Sequence, residues 1–198
     1  MDDIVQRAMR KWPNVPHCYG WLALDARGNW RMRDESAQHA NSAGDKIVHT
    51  ALCGFINRNY DRDDAGRWFF QNGPQRVFVN LEATPFIART DPASGLMLHT
   101  DEPVSSINAA WLTDTGKLIV QTDERIAQID DRDLAQCLQW VQDAHQSVDI
   151  EFLLQWIVDT SDHTALWLKY RDQRIAISRL TEASMAAKFG FMTLPTPE

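Results

Sequence analysis

Cysteine is scarce in this chain. Cys18, Cys53 and Cys137 are the only three in 198 residues. An odd number at wide spacing supplies no disulfide framework, and a reducing cytoplasm is the expected setting. Long apolar runs are missing as well. No stretch approaches the roughly 20 apolar residues of a spanning helix, so no membrane partner is expected. Met1-Asp2-Asp3 opens the chain with acid rather than an apolar run, so no signal peptide is expected there. Basic charge is in deficit: 20 Lys and Arg stand against 27 Asp and Glu, giving a net charge of −7. The cations are interleaved with acids and form no stripe, which argues against nucleic acid as a partner. Arg67-Trp68-Phe69 could stack on bases, but tryptophan in a core is the preferred reading.

Signature loops are absent too. Neither Gly-x-x-x-x-Gly-Lys nor Gly-x-Gly-x-x-Gly occurs, and no Gly-x-Ser-x-Gly marks a nucleophile. No cofactor is expected on these grounds. His49 and Cys53 are spaced for one helix face, and His17 and Cys18 could complete a zinc set. No Cys-x-x-Cys supports it, and a buried cysteine is the competing explanation. Asp61 to Gly66 has the acidity of a calcium loop. Ala65 fills a ligand position, however, and Asn72 stands where a bidentate Glu is required. Glu82 with Asp101 or Glu102 offers paired carboxylates, a weak signal in so acidic a chain.

The composition is otherwise that of a globular protein, 44% hydrophobic and 24% charged. Eight tryptophans supply a core without metal or disulfide. The densest stretch runs from Asn57 to Phe86. Gln75 to Glu82 alternates, with Val77, Val79 and Leu81 on one face and Arg76, Phe78, Asn80 and Glu82 on the other. Asn72-Gly73-Pro74 is a hairpin turn. The preceding strand directs Trp68 and Phe70 one way and Arg67, Phe69 and Gln71 the other. The mixed face is a candidate groove: Arg67, Gln71, Arg76, Phe78, Asn80 and Glu82 would bind a ligand, with Arg76 for a carboxylate or phosphate and Phe78 as an apolar floor. A half-exposed sheet closed by an Arg76–Glu82 or Arg67–Glu82 pair is the alternative. Such pairs contribute only about 0–1 kcal/mol.

Elsewhere, helical periodicity falls on Asp2–Trp12, Val48–Tyr60, Asp131–Ala144 and Ser147–Val158. Strands are expected at Cys18–Asp25, Asn29–Arg33, Phe86–Thr90 (extending the central sheet), Leu96–Thr100, Ala109–Thr113, Lys117–Thr122 and Arg125–Ile129. A last hairpin joins Ala165–Tyr170 to Arg174–Ser178, and Thr181 caps a short helix. Asp34–Asp45 reads as a polar loop. A loose repeat links Asp25-x-x-Gly28-x-Trp30, Asp64-x-Gly66-x-Trp68 and Asp114-x-Gly116-x-Leu118. These features predict an α+β protein: mainly antiparallel sheet, a curled sheet or partial barrel, with about four helices. Residues 1–130 would form a β-rich domain and 131–198 a smaller α+β domain.

Several segments also resemble an uncharacterised family of proteobacterial proteins, a conserved domain of unknown function. They are Pro16-x-x-Tyr19-Gly20-Trp21-Leu22, Gly28-x-Trp30-x-Met32-Arg33-Asp34, Phe55-Ile56-x-Arg58-Asn59-Tyr60, Gly66 to Val77, Leu81-Glu82-x-Thr84-Pro85 and Phe189-Gly190-Phe191. Gly66 to Phe86 is similar to a second uncharacterised bacterial family, through Leu81 to Phe86. The resemblance implies a cytoplasmic bacterial protein and no activity, cofactor or catalytic residue. The expected function is a non-enzymatic module binding a small-molecule ligand or a protein partner. The alternative is a hydrolase-like enzyme on the Arg67/Arg76/Glu82 face, and homodimerisation is a third reading.

Overall fold

The computed structural model describes residues 1–144 and 146–197. Two compact units divide them: residues 1–85 with the returning tail from Phe189, and Phe86–Lys188. The boundary sought near residue 130 lies inside the second unit, after its fifth strand.

The first unit contains α1 (Asp3–Lys11), β1 (Cys18–Leu24), β2 (Trp30–Met32), α2 (Glu35–His39), β3 (Asp45–Lys46), α3 (Thr50–Arg58), β4 (Tyr60–Arg62), β5 (Trp68–Asn72) and β6 (Gln75–Leu81). Its sheet has the order β3-β2-β1-β6-β5-β4. The expected central hairpin is present, with Phe69 opposite Phe78 and Gln71 opposite Arg76. Asn72 stays in the strand, paired with Gln75. Gly73 (φ +58°) and Pro74 are the central turn residues. That combination suits a type II′ turn rather than a turn with Asn at its centre. On one face, Phe70 meets Phe55 of α3 edge-on at 5.4 Å, and Leu24, Ile56 and Val79 of the same unit are buried. The opposite face is also closed, because Phe69 and Phe78 are buried there.

The second unit contains β7 (Phe86–Asp91), β8 (Gly95–Leu98), β9 (Ala109–Thr113), β10 (Leu118–Thr122), β11 (Arg125–Ile129), α4 (Leu134–Leu138), β12 (Val141–Gln142), α5 (Ile150–Val158), β13 (Leu166–Tyr170), β14 (Gln173–Leu180) and, after a 3₁₀ turn at Glu182–Ser184, α6 (Met185–Phe189). Its strands run β12-β13-β14-β9-β10-β11-β7-β8. Strand β7 therefore begins this second sheet and does not extend the first. Ile119, Val120 and Ala127 have no measurable exposure. Strands covered on both faces read as continuous apolar runs.

One joining rule recurs. The first strand of an antiparallel group pairs parallel with the last strand of the following group: β1 with β6, β7 with β11, β9 with β14. The other neighbours are antiparallel, and the α+β class stands, with curled half-barrel sheet. The sequence repeat is a shared hairpin turn set one residue earlier than expected at two of its three sites. Gly28, Gly66 and Gly116 donate to the carbonyls of Asp25, Asp63 and Thr113 at 3.0, 3.0 and 2.9 Å. Asp25, Asp63 and Thr113 also accept from the backbone N–H four residues on, at 2.8, 2.9 and 2.9 Å. Asp64 and Asp114 do not hold these positions, because their side chains fall one residue too late to reach that N–H. In each turn the glycine has positive φ, the left-handed position of a three-residue hairpin loop. At Gly66 a side chain is further excluded by the Gly190 carbonyl oxygen of the returning tail.

Local forecasts fail where polar or tertiary terms decide. Asp34 caps α2 by accepting from Ala37 N at 2.8 Å, so the polar stretch called a loop holds a helical turn. Helix α3 starts at Thr50, capped by His49, and Val48 is 80% exposed outside it. The expected 131–144 helix stops at Leu138 because Val141 pairs with Leu168 instead. Asp149, rather than Ser147, caps α5, accepting from Phe152 N at 2.7 Å. Six α-helices are formed among the described residues.

Candidate functional site

The site assembles in the first unit from the β1–β2 turn outward. Asp25 sits at the head of that turn, almost buried, and its Oδ1 accepts from the N–H groups of Arg27 and Asn29 at 3.0 and 2.8 Å. Alternation along β2 then sends Trp30 and Met32 one way and Arg31 and Arg33 the other. Trp30 is buried and donates to Asn57 Oδ1 at 2.8 Å. Arg31 returns to Asp25, with Nε and Nη2 each 2.8 Å from Oδ2. Burial alone would raise the Asp25 carboxyl. Hydrogen bonds from Asn29, Arg31 and the Arg27 N–H outweigh it and hold the carboxyl below its ordinary range.

Arg33 is placed differently. It is 8% exposed, yet among the described residues no carboxylate is within ion-pairing distance. Its Nε donates to Ser42 O at 2.9 Å, and Nη2 lies 3.5 Å from Asn41 Oδ1. The second contact is at the limit of a hydrogen bond. The loop supplying these acceptors follows α2 and is pressed onto β2 at Gly44. There φ is +79° and any Cβ would collide with Met32 O. Gln38 Nε2 donates to Arg33 O at 3.0 Å and ties α2 to the same residue.

Asp25, Arg31, Arg33, Asn41 and Ser42 line a cleft of about 250 Å³ that also includes Asn80, Glu82, Leu24, Leu81 and Leu194. Asn80 reaches it because β6 pairs parallel with β1, opposite Ala23. Glu82 Oε2 accepts from Ala26 N at 3.0 Å. A cation with unfilled donors, an amide and apolar walls can hold a small molecule through an anionic group.

The six residues expected to share one groove are thus divided. Asn80 and Glu82 line the cleft. Arg67, Gln71, Arg76 and Phe78 form a closed cluster. Phe78 is 1% exposed, with Tyr19 stacked on it at 4.7 Å and 10° and the Arg67 guanidinium 4.9 Å from its ring. It is a core residue, not a ligand floor. Arg67 Nε is 2.7 Å from Asp63 Oδ2, and Arg76 covers Phe69 at 4.4 Å. Neither arginine pairs with Glu82, because Asp63 engages the first and an aromatic ring the second. Gln71 is buried and donates to Gly73 O at 2.9 Å, leaving Oε1 without a partner. Asp63 also occupies the would-be calcium loop, where its oxygens serve Ala65 N, Arg67 N and Arg67 Nε. His49 Nδ1 accepts from Leu52 N at 3.2 Å, and Cys53 Sγ lies 3.4 Å from Ile47 O. Asp25, Arg31, Arg33, Asn41 and Ser42 are the site residues that sequence reasoning missed. The Arg31-x-Arg33 alternation, on the side of the strand opposite buried Trp30, was the available signal.

No helix among the described residues is long and apolar enough to cross a membrane. No curated protein matches the sequence. Among solved structures, the chain is similar to a DUF1285 family protein from Silicibacter pomeroyi DSS-3. The TM-score is 0.51 at 11% identity, over 89% of this chain and 94% of that one. That likeness is one of fold. A DUF1285 family protein from Shewanella baltica OS155 also matches, at TM-score 0.39 and 13% identity, over 57% and 85% of the two chains. The family model DUF2944, described as "Protein of unknown function (DUF2946)", matches residues 1–196, and the chain belongs to that family.

Proposed function

We propose that this protein is a binding module for a small molecule carrying a carboxylate or phosphate, held in the Arg33 cleft. One observation carries the proposal: Arg33 lines the cleft, is 8% exposed, and meets only neutral acceptors. Removing a charge from water costs several kcal/mol unless a counter-charge compensates. A bound anion would supply that counter-charge, and the planar guanidinium presents paired N–H groups to it. Asn80 offers an amide for orientation, while Leu24, Leu81 and Leu194 offer apolar contact. Arg31 is already committed to Asp25 and serves as part of the wall.

A hydrolase on the Arg67/Arg76/Glu82 face has less support. Arg67 belongs to Asp63, Arg76 to Phe69, and Glu82 to another cleft. Burial raises the Asp63 carboxyl, but the bonds from Arg67 outweigh it and leave it lowered. A general acid requires the opposite shift.

The test is a thermal-shift screen of small carboxylates and phosphates on wild type, Arg33→Met and Arg33→Lys. Stabilisation by a subset of anions that Arg33→Met abolishes is the expected result. Equal shifts in wild type and Arg33→Met would remove the site.

A further inference from the structure

We propose that the groove between α4 and α5 docks a basic amphipathic helix of a partner protein. The groove is about 560 Å³, larger than the Arg33 cleft, and independent of it. Leu134, Leu138, Val148 and Ile150 line it, and Leu153 forms its floor at 2% exposure.

Helix α5 has more apolar surface than its own unit uses. Leu153 and Trp156 face the core and are buried. Ile150, Leu154 and Val158 form a second row at i, i+4 and i+8, exposed by 53%, 55% and 78%. At about 100° per residue the apolar arc spans roughly 200°, well beyond the single stripe of an ordinary surface helix. The exposed row borders the groove through Ile150, so the apolar surface is continuous.

Charge selects the occupant. Asp131 and Asp149 line the groove, and Glu151 follows in the first turn of α5. None of the described lining residues is a lysine or arginine. An acidic rim around an apolar trough suits a helix with aliphatic anchors on one face and lysine or arginine beside them. A second copy of this chain fits less well, because each copy carries a net charge of −7 and would bring like charge to the rim.

The probe is a fluorescein-labelled helical peptide of about 14 residues, with leucines at one-face spacing and lysines elsewhere. A matched peptide carries glutamate in place of lysine. Fluorescence anisotropy is measured on wild type and on the Ile150→Ser/Leu154→Ser variant. Both substituted side chains are more than half exposed, so the fold persists, as circular dichroism would verify. The lysine peptide should bind wild type, lose affinity with salt, and bind the variant at least about tenfold more weakly. The glutamate peptide should not bind. Equal affinity for wild type and variant, equal binding of both peptides, or no binding to wild type would overturn the proposal. So would light scattering that shows a wild-type dimer and a monomeric variant, since the groove would then hold a second copy.

Discussion

Arg31 grips Asp25 through Nε and Nη2, each at 2.8 Å from the same carboxylate oxygen, while Arg33, next on that side of the strand, meets no carboxylate among the described residues. One arginine belongs to the turn and the other faces a cleft. Asp25 accepts from Arg27 N, Asn29 N, Asn29 Nδ2 and Arg31. It therefore fixes the turn that delivers both arginines. Asp25→Ala should cost about 2–3 kcal/mol, the scale of hydrogen bonds to a largely buried charge. Urea unfolding would measure it. A loss below about 0.5 kcal/mol, the level of an ordinary surface change, would show that the turn holds without Asp25.

The same carboxylate sets an acid dependence. Hydrogen bonds to Asp25 and Asp63 win over burial and leave both below the ordinary carboxylate range. A depressed folded value means that stability is fully present above the unfolded value, about 3.9, and is lost as pH falls through the lower folded value. Urea midpoints of wild type should accordingly be flat from neutral pH to about pH 5 and fall below about pH 4. Asp25→Asn/Asp63→Asn should start lower and fall less. Parallel acid slopes would show that other carboxylates dominate.

Gly66 and Gly116 occupy the same place in two copies of one turn, with φ of +75° and +81°, in different surroundings. A Cβ at Gly116 meets nothing within 4 Å, whereas one at Gly66 collides with Gly190 O. Gly116→Ala should cost about 1–2 kcal/mol, the left-handed backbone penalty. Gly66→Ala should cost about 3 kcal/mol or more, because the tail must also shift. Thermal melts would rank them, and equal costs would mean that the tail contact carries no weight.

Cys137 has no measurable exposure, and burial together with the Asp133 charge pushes its thiol up to about 12. The thiolate is the reactive form. At mildly alkaline pH a thiol reagent should label Cys18 and Cys53, both half-buried, and reach Cys137 only after denaturation. Rapid labelling of all three in the native protein would contradict this packing.

What the sequence disclosed was local. The alternation from Gln75 to Leu81, the turn before it and the helical spacing of Ile150, Leu153 and Ile157 all yielded the right elements. Parallel joints such as β1 with β6 lie outside any local window. There the strand of Tyr19 bulges between Cys18 and Leu22. That non-local pairing brings Tyr19 onto Phe78 and turns an expected groove floor into core. Short polar α2 was missed because its stability comes from a cap and not an apolar stripe. Asn80 and Glu82 were found because alternation predicts their side of the strand. Arg33 was not, since its isolation from carboxylates depends on the loop that folds over it.

The measurement closest to the central claim is the stability of Arg33→Met with and without the anions that stabilise wild type. Replacing an uncompensated buried cation with an apolar side chain of similar length should leave ligand-free stability unchanged or raise it by about 1–4 kcal/mol. Wild type at about 100 times the dissociation constant should gain about 2.7 kcal/mol, and Arg33→Met should gain none. An Arg33→Met protein that is strongly destabilised without ligand, or that responds to the anions as wild type does, would reduce Arg33 to a structural residue and contradict the account.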